Sequence, residues 1–144
     1  MLEQTRPVIG AIGHFDLTVD DAPGIRDFYA SVVGWHVEPM PMEGYEDYVL
    51  TSPTTGDPMG GVCHRRGDNS GLPRQWLMYI NVADLEASVA KVRALGGKVL
   101  HEAGPYDDGS GYAVIEDLAG AVIALMQQAA PVAGEPSAQV DPAS

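Results

Sequence analysis

His14 and Asp16 stand two residues apart in the stretch His14-Phe-Asp-Leu-Thr-Val19, where polar and apolar side chains alternate. Alternation at period two marks a strand, with His14, Asp16 and Thr18 on one face and Phe15, Leu17 and Val19 on the other. A carboxylate beside an imidazole orients the ring and favours its protonated form, and such a pair can act as general base or acid near neutral pH. The residues alone leave other roles open: His14 as a metal ligand, a hydrogen-bond donor to a ligand or a structural histidine, and Asp16 as a solvated strand-face carboxylate. Cys63 directly precedes His64, and strand neighbours point to opposite faces, which disfavours a side-by-side nucleophile–base pair. His36 near Glu38, and His101 beside Glu102, read as exposed strand-end residues. The chain carries no GxxxxGK[ST], GxGxxG, GxSxG or HExxH pattern, so nucleotide, hydride and metalloprotease or serine-hydrolase readings have no support.

The elements that must position these residues are clearest in Tyr79 to Leu100. Ile80 and Val82 alternate at strand period, and after Asp84 the apolar residues Leu85, Val89, Val92 and Leu95 follow helical spacing. Asp84 is a favoured N-cap, and Gly96-Gly97 supplies a stop before Lys98 to Leu100 resumes a strand. The same grammar occurs earlier, where Val19, Asp21, Tyr29, Val32 and Gly34 stand for Val82, Asp84, Val92, Leu95 and Gly97 at a constant spacing of 63 positions. Past the helices the spacing grows by one, aligning Tyr48 to Gly56 with Tyr112 to Gly120, as if one residue had been inserted. Two copies of a long unit indicate a duplicated supersecondary module rather than a solenoid.

In chain order, residues 1–7 read as a loose arm. Residues 8–65 form a first module: a strand to Val19, a helix with Pro23 in its first turn and a buried stripe of Ile25, Phe28, Tyr29, Val32 and Val33, then three more strands. Residues 66–73 form a linker. Residues 74–128 form the second module, and residues 129–144, rich in Ala, Pro and Ser, read as a disordered tail. With 144 residues, 45% of them apolar, the chain is long enough for one domain with a sizeable core. Its 20 acidic and 8 basic residues give a formal charge of −12, which opposes binding to nucleic acid or anionic membranes. A single cysteine, no apolar run of membrane-spanning length and no basic-then-apolar start predict a soluble, cytoplasmic protein.

His14-x-x-Leu17-x-Val19-x-Asp21, Phe28-Tyr29, Gly34-Trp35 and the later Asp117-Leu-Ala-Gly120, met in order and in duplicate, resemble the vicinal oxygen chelate superfamily, which includes glyoxalase I, extradiol dioxygenases and bleomycin-resistance proteins. The resemblance spans Val8 to Gln128. The segment Phe28 to Pro41, Met59-Gly-Gly61 and Gly96-Gly-Lys-Val99 are similar to a glyoxalase-like subgroup. The resemblance implies an α+β fold of two tandem β-α-β-β-β modules forming cupped mixed sheets with helices outside, a small-molecule ligand in the cup, and a homodimer.

It also implies a divalent metal held from the first and last strands of each module. Those slots fall on His14, Leu77, Gly60 and Ala124, of which His14 alone carries a donor. No metal and no other cofactor is therefore expected, a divalent ion through His14 being the lesser alternative, and metal-dependent glyoxalase I activity is not expected. Tyr79 and Asn81 are the second-module counterparts of Asp16 and Thr18 and are expected to contact the ligand. His64, sharing parity with Gly60, is expected on the cup face, and Tyr48 and Trp76 are candidates for an aromatic wall, with core packing the alternative. Two functions follow: a lyase- or isomerase-type enzyme acting on a small oxygenated molecule with His14 and Asp16 as catalytic residues, or a metal-free protein sequestering a small, cationic aromatic molecule.

Overall fold

Two aspartates start the two helices. Asp21 Oδ1 accepts the Gly24 amide at 3.0 Å and Asp84 Oδ1 accepts the Ala87 amide at 3.1 Å, each satisfying a first-turn donor that has no partner within the helix. Helix α1 runs Ala22–Val33 with a proline in its first turn, and ends at Gly34, whose φ of 87° lies in the left-handed region. Helix α2 runs Leu85–Ala94, and Gly96, at φ 95°, turns the chain back. The strands are β1 (Ile12–Val19), β2 (His36–Pro41), β3 (Glu46–Thr51), β4 (Pro58–His64), β5 (Leu77–Asn81), β6 (Lys98–Ala103), β7 (Gly111–Glu116) and β8 (Val122–Gln127). The order is thus β-α-β-β-β twice, as the sequence predicts. The structure, a computed structural model, describes residues 7–129. The expected arm and tail lie outside the described residues, save Pro7 and Ala129.

The chain packs as two compact units, one comprising residues 14–79 and the other the residues up to Gly13 together with those from Ile80 on. In the first unit the strand order is β2-β3-β4-β1. Strand β1 runs parallel to β4, and β2, β3 and β4 form an antiparallel meander. Helix α1 covers one face of this sheet, over Leu17, Val19, Tyr48, Leu50 and Val62. In the second unit β6, β7 and β8 pair antiparallel, the end of β5 lies beside β8, and α2 covers Ala113, Ile115 and Leu125.

The stripe of α1 is narrower than its apolar pattern predicts. Ala22, Ile25 and Tyr29, spaced at i, i+3 and i+7, meet the sheet, whereas Phe28 and Val32, one step around the helix, are 55% and 65% exposed. Leu95 lies past the last turn of α2 and is also exposed.

The inserted residue read from the sequence does not change which face the strands turn to the helix. Leu50 and Val62 pack under α1, and the residues that pack under α2 in their places are Ala113 and Leu125, each 63 positions later. Tyr48 and Tyr112, aligned by the longer spacing, face differently: Tyr48 is in the α1 core, while Tyr112 meets His101 on the face of its sheet opposite Ala113 and Ile115. The first unit absorbs the difference as an irregularity between Leu50 and Thr51, where β4 carries Met59 as an extra residue before pairing resumes at Pro58. A bulge of this kind restores the original parity.

Candidate functional site

The face of the first sheet away from α1 carries the polar side of β1. Because Leu17 and Val19 point into the α1 core, His14, Asp16 and Thr18 point the other way. Strand pairing sets Gly61 beside Asp16 and Cys63 beside Thr18. His14 Nε2 and Asp16 Oδ1 are 2.9 Å apart, and the Tyr79 ring meets the imidazole edge-on, with centroids 5.4 Å apart and planes at 62°. The hydrogen bond to Asp16 raises the His14 pKa; burial opposes that rise and the Asp16 charge reinforces it. An ionised carboxylate only accepts, so Nε2 carries the proton of the neutral ring and Nδ1 is left as its basic atom.

A second carboxylate lies on the same face. Asp47 is 9% exposed, and its Oδ1 accepts the His64 amide at 3.0 Å. The Cys63 thiol lies between the two acids. Burial pushes its pKa far up, the Asp16 and Asp47 charges push it further, and a hydrogen bond to Asp47 adds to both. Cys63 is therefore a neutral thiol, unsuited to nucleophilic work. Asp47 was not singled out by sequence reading. The signal was there, since Asp47 alternates with the core residues Tyr48 and Leu50 and so shares a face with Val49 and Thr51.

The other sequence candidates are placed elsewhere. His64 shares parity with Val62 and lies on the α1 face, its ring 6.0 Å from Tyr48 and 5.6 Å from Tyr45. Tyr48 is buried in the α1 core, with the Arg26 guanidinium 4.6 Å above its ring. Trp76 packs against the same core, edge-on to Tyr29 at 5.3 Å and to Trp35 at 6.1 Å. The aromatic set is therefore the floor under α1, which is the alternative that strand aromatics allow. In the second unit, Asn81 is buried and tied to the segment before β1. Its Nδ2 donates to the Val8 carbonyl at 3.3 Å, its carbonyl accepts the Gly10 amide at 2.8 Å and its amide donates to Ala11 at 2.9 Å. His14, Asp16 and Tyr79 are the predicted residues that the structure brings together.

The donor set does not fit the metal that the resemblance implies. The β4 position facing Asp16 is Gly61, not Gly60: a Cβ on Gly60 would meet Phe15 and Trp76, on the α1 side. Neither glycine offers a donor, nor do Leu77 and Ala124. Among the described residues no three His, Cys, Asp or Glu side chains converge, and the two donors on β1 are engaged with each other.

A duplicated β-α-β-β-β unit, each copy with its helix on one face of its sheet, defines the fold class. The chain belongs to the Glyoxalase/Bleomycin resistance protein/Dioxygenase superfamily, whose family model matches residues 11–125. The CFP32 protein of Mycobacterium tuberculosis, which carries a provisional glyoxylase name, is 30% identical over 113 residues, covering 78% of this chain and 43% of the relative. The anthracycline biosynthesis protein DnrV of Streptomyces peucetius is 29% identical over 138 residues, 86% of this chain and 49% of the relative. The chain thus spans about half the length of the curated relatives it matches. Methylmalonyl-CoA epimerase of Streptomyces coelicolor, in complex with 2-nitronate-propionyl-CoA, shares the fold at a TM-score of 0.51 and 21% identity, covering 85% of this chain and all of that one. A superfamily member from Vibrio splendidus does so at 0.53 and 17%, covering 80% of this chain and 97% of that one.

Proposed function

We propose that the face bearing His14, Asp16 and Tyr79 binds a small oxygenated organic molecule and that His14 moves a proton on it, in a lyase- or isomerase-type reaction without the superfamily's four-ligand metal centre. The observation that carries this reading is the 2.9 Å pair of His14 Nε2 with Asp16 Oδ1. It fixes the tautomer, raises the basicity of the ring and leaves Nδ1 to take a proton from a carbon acid or return it. Asp16 orients His14 and stabilises its cation, and Tyr79 packs the ring from its edge. Balance is simple: the substrate C–H electrons pass to its own carbonyl as Nδ1 takes the proton, and the reverse step returns that proton to carbon. The test is a thermal-shift screen of small oxygenated metabolites and their thioesters, followed by proton NMR of each stabilising compound in D2O. A compound that exchanges a C–H for deuterium with the wild type, and tenfold or more slowly with His14→Ala, supports the reading. Exchange unaffected by His14→Ala refutes it.

A second reading has its own observation. Asp16 and the buried Asp47 share this face, in a chain of formal charge −12, an environment suited to holding a cationic aromatic molecule without turnover. Stabilisation by such cations, weakened by salt and by Asp16→Asn and with no exchange chemistry, supports sequestration in place of catalysis.

A further inference from the structure

We infer that Gly61 is the positioning residue that makes the His14–Asp16 pair possible: its missing side chain is the space in which the Asp16 carboxylate lies. The inference rests on the proposed use of that pair and names what on the neighbouring strand controls it. Asp16 and Gly61 are paired across β1 and β4. A Cβ built on Gly61 would overlap Asp16 Oδ1, the very oxygen that His14 Nε2 contacts at 2.9 Å. The next nearest atoms, Asp16 Cγ at 3.5 Å and the Tyr48 carbonyl at 3.6 Å, are at ordinary contact distance. One methyl group would therefore act on one atom.

A glycine inside a strand needs such an explanation. It forgoes cross-strand packing and loses more backbone entropy on folding than alanine would. Gly61 is not among the residues of positive φ, so its backbone does not require glycine; the occupant of the vacated space does. Asp16 has two side-chain torsions and, displaced by a methyl, rotates its carboxylate away from the imidazole instead of distorting the sheet. Among the described residues of this unit, the groups on this face beside His14 and Asp16 include Thr18 on the same strand, Gly61, Cys63, Val49 and Asp47 across the sheet, and Tyr79. None of these is a cation. Among them, Asp16 is the residue that raises the His14 pKa, through both its hydrogen bond and its charge.

The experiment titrates the histidines of the full chain by two-dimensional NMR, assigning His14 from the signal lost in His14→Gln. Wild type, Gly61→Ala, Asp16→Asn and Gly60→Ala are compared. Gly61→Ala is expected to lower the His14 titration midpoint by as much as Asp16→Asn does. Gly60→Ala, whose methyl points to the α1 face, is expected to leave it where it is. A Gly61→Ala midpoint equal to wild type, beside a lowered Asp16→Asn midpoint, overturns the role of Gly61 while leaving the pair intact. An Asp16→Asn midpoint equal to wild type overturns the pair and the inference with it. The proposed reaction is read separately, by the loss of exchange in His14→Ala. Should Gly61→Ala not fold, Asp16→Ala/Gly61→Ala decides: recovery of the fold traces the clash to Asp16, and failure to recover it refutes the inference.

Discussion

Asp16→Asn keeps the shape and one acceptor of Asp16 and removes its charge, which makes it the sharpest probe of the His14 pair. A hydrogen bond to a charged group contributes about 1.5–3 kcal/mol when buried, and an exposed ion pair about 0–1 kcal/mol. With 44% of the His14 side chain and 22% of the Asp16 side chain exposed, solvent screening moves the pair toward the lower range, at about 1 kcal/mol. In a chain of this size that corresponds to roughly 3–4 °C in Tm. The sign follows from linkage. The folded state raises the His14 pKa, so the stabilisation is fully present below the ordinary imidazole value of 6.5 and is lost as pH rises through the folded value. Urea titrations of wild type and variant at pH 5.5 and pH 9 should therefore show a gap at the lower pH that largely closes at the higher, and that shrinks in 1 M salt. A gap that is independent of pH, or wider at pH 9, refutes the reasoning.

Cys63 should react with a disulfide reagent at pH 8 at least a hundredfold more slowly in the folded chain than in urea, because burial and two carboxylates keep it protonated; equal rates would contradict its placement. Leu50→Ala, at a fully buried position of the α1 core, should cost about 2–5 kcal/mol in a denaturant titration, against less than about 0.5 for Val32→Ala on the exposed flank of α1. Calorimetry of chelator-treated protein with zinc, nickel or manganese should give no submicromolar site of one ion per chain that His14→Ala abolishes; such a site would show that donors outside those named here complete it. Sedimentation should give twice the chain mass of 15.2 kDa if the chain forms the homodimer that the family resemblance implies, and a mass of one chain at micromolar concentration would rule that out.

What the sequence made legible is what local chemistry dictates. Asp21, Asp84, Gly34 and the switch from period two to helical spacing placed both helices within a residue or two, because caps and stops act on the backbone beside them. The alternation of β1 correctly separated Leu17 and Val19 from His14 and Asp16, since six successive residues, His14 to Val19, vote for one register. Strand β4 offered no such vote. In Pro58-Met-Gly-Gly-Val-Cys-His64 two glycines carry no side chain, cysteine suits either face, and Val62 alone speaks for the core. A match of turns, Pro53 to Gly56 against Asp117 to Gly120, then fixed the register of the strands on either side. A turn constrains the chain reversal; it does not constrain parity when a bulge can absorb one residue. That single slip assigned His64, with Gly60, to the cup face, whereas its ring meets Tyr45 and Tyr48, and it put Gly60 where Gly61 pairs with Asp16. Either register puts a residue without a side-chain donor at that β4 position, because both neighbours are glycine. The packing consequence differs between the two, for Gly61, which faces away from α1, is the glycine whose missing Cβ leaves room for the Asp16 carboxylate, whereas a Cβ on Gly60 would meet Phe15 and Trp76.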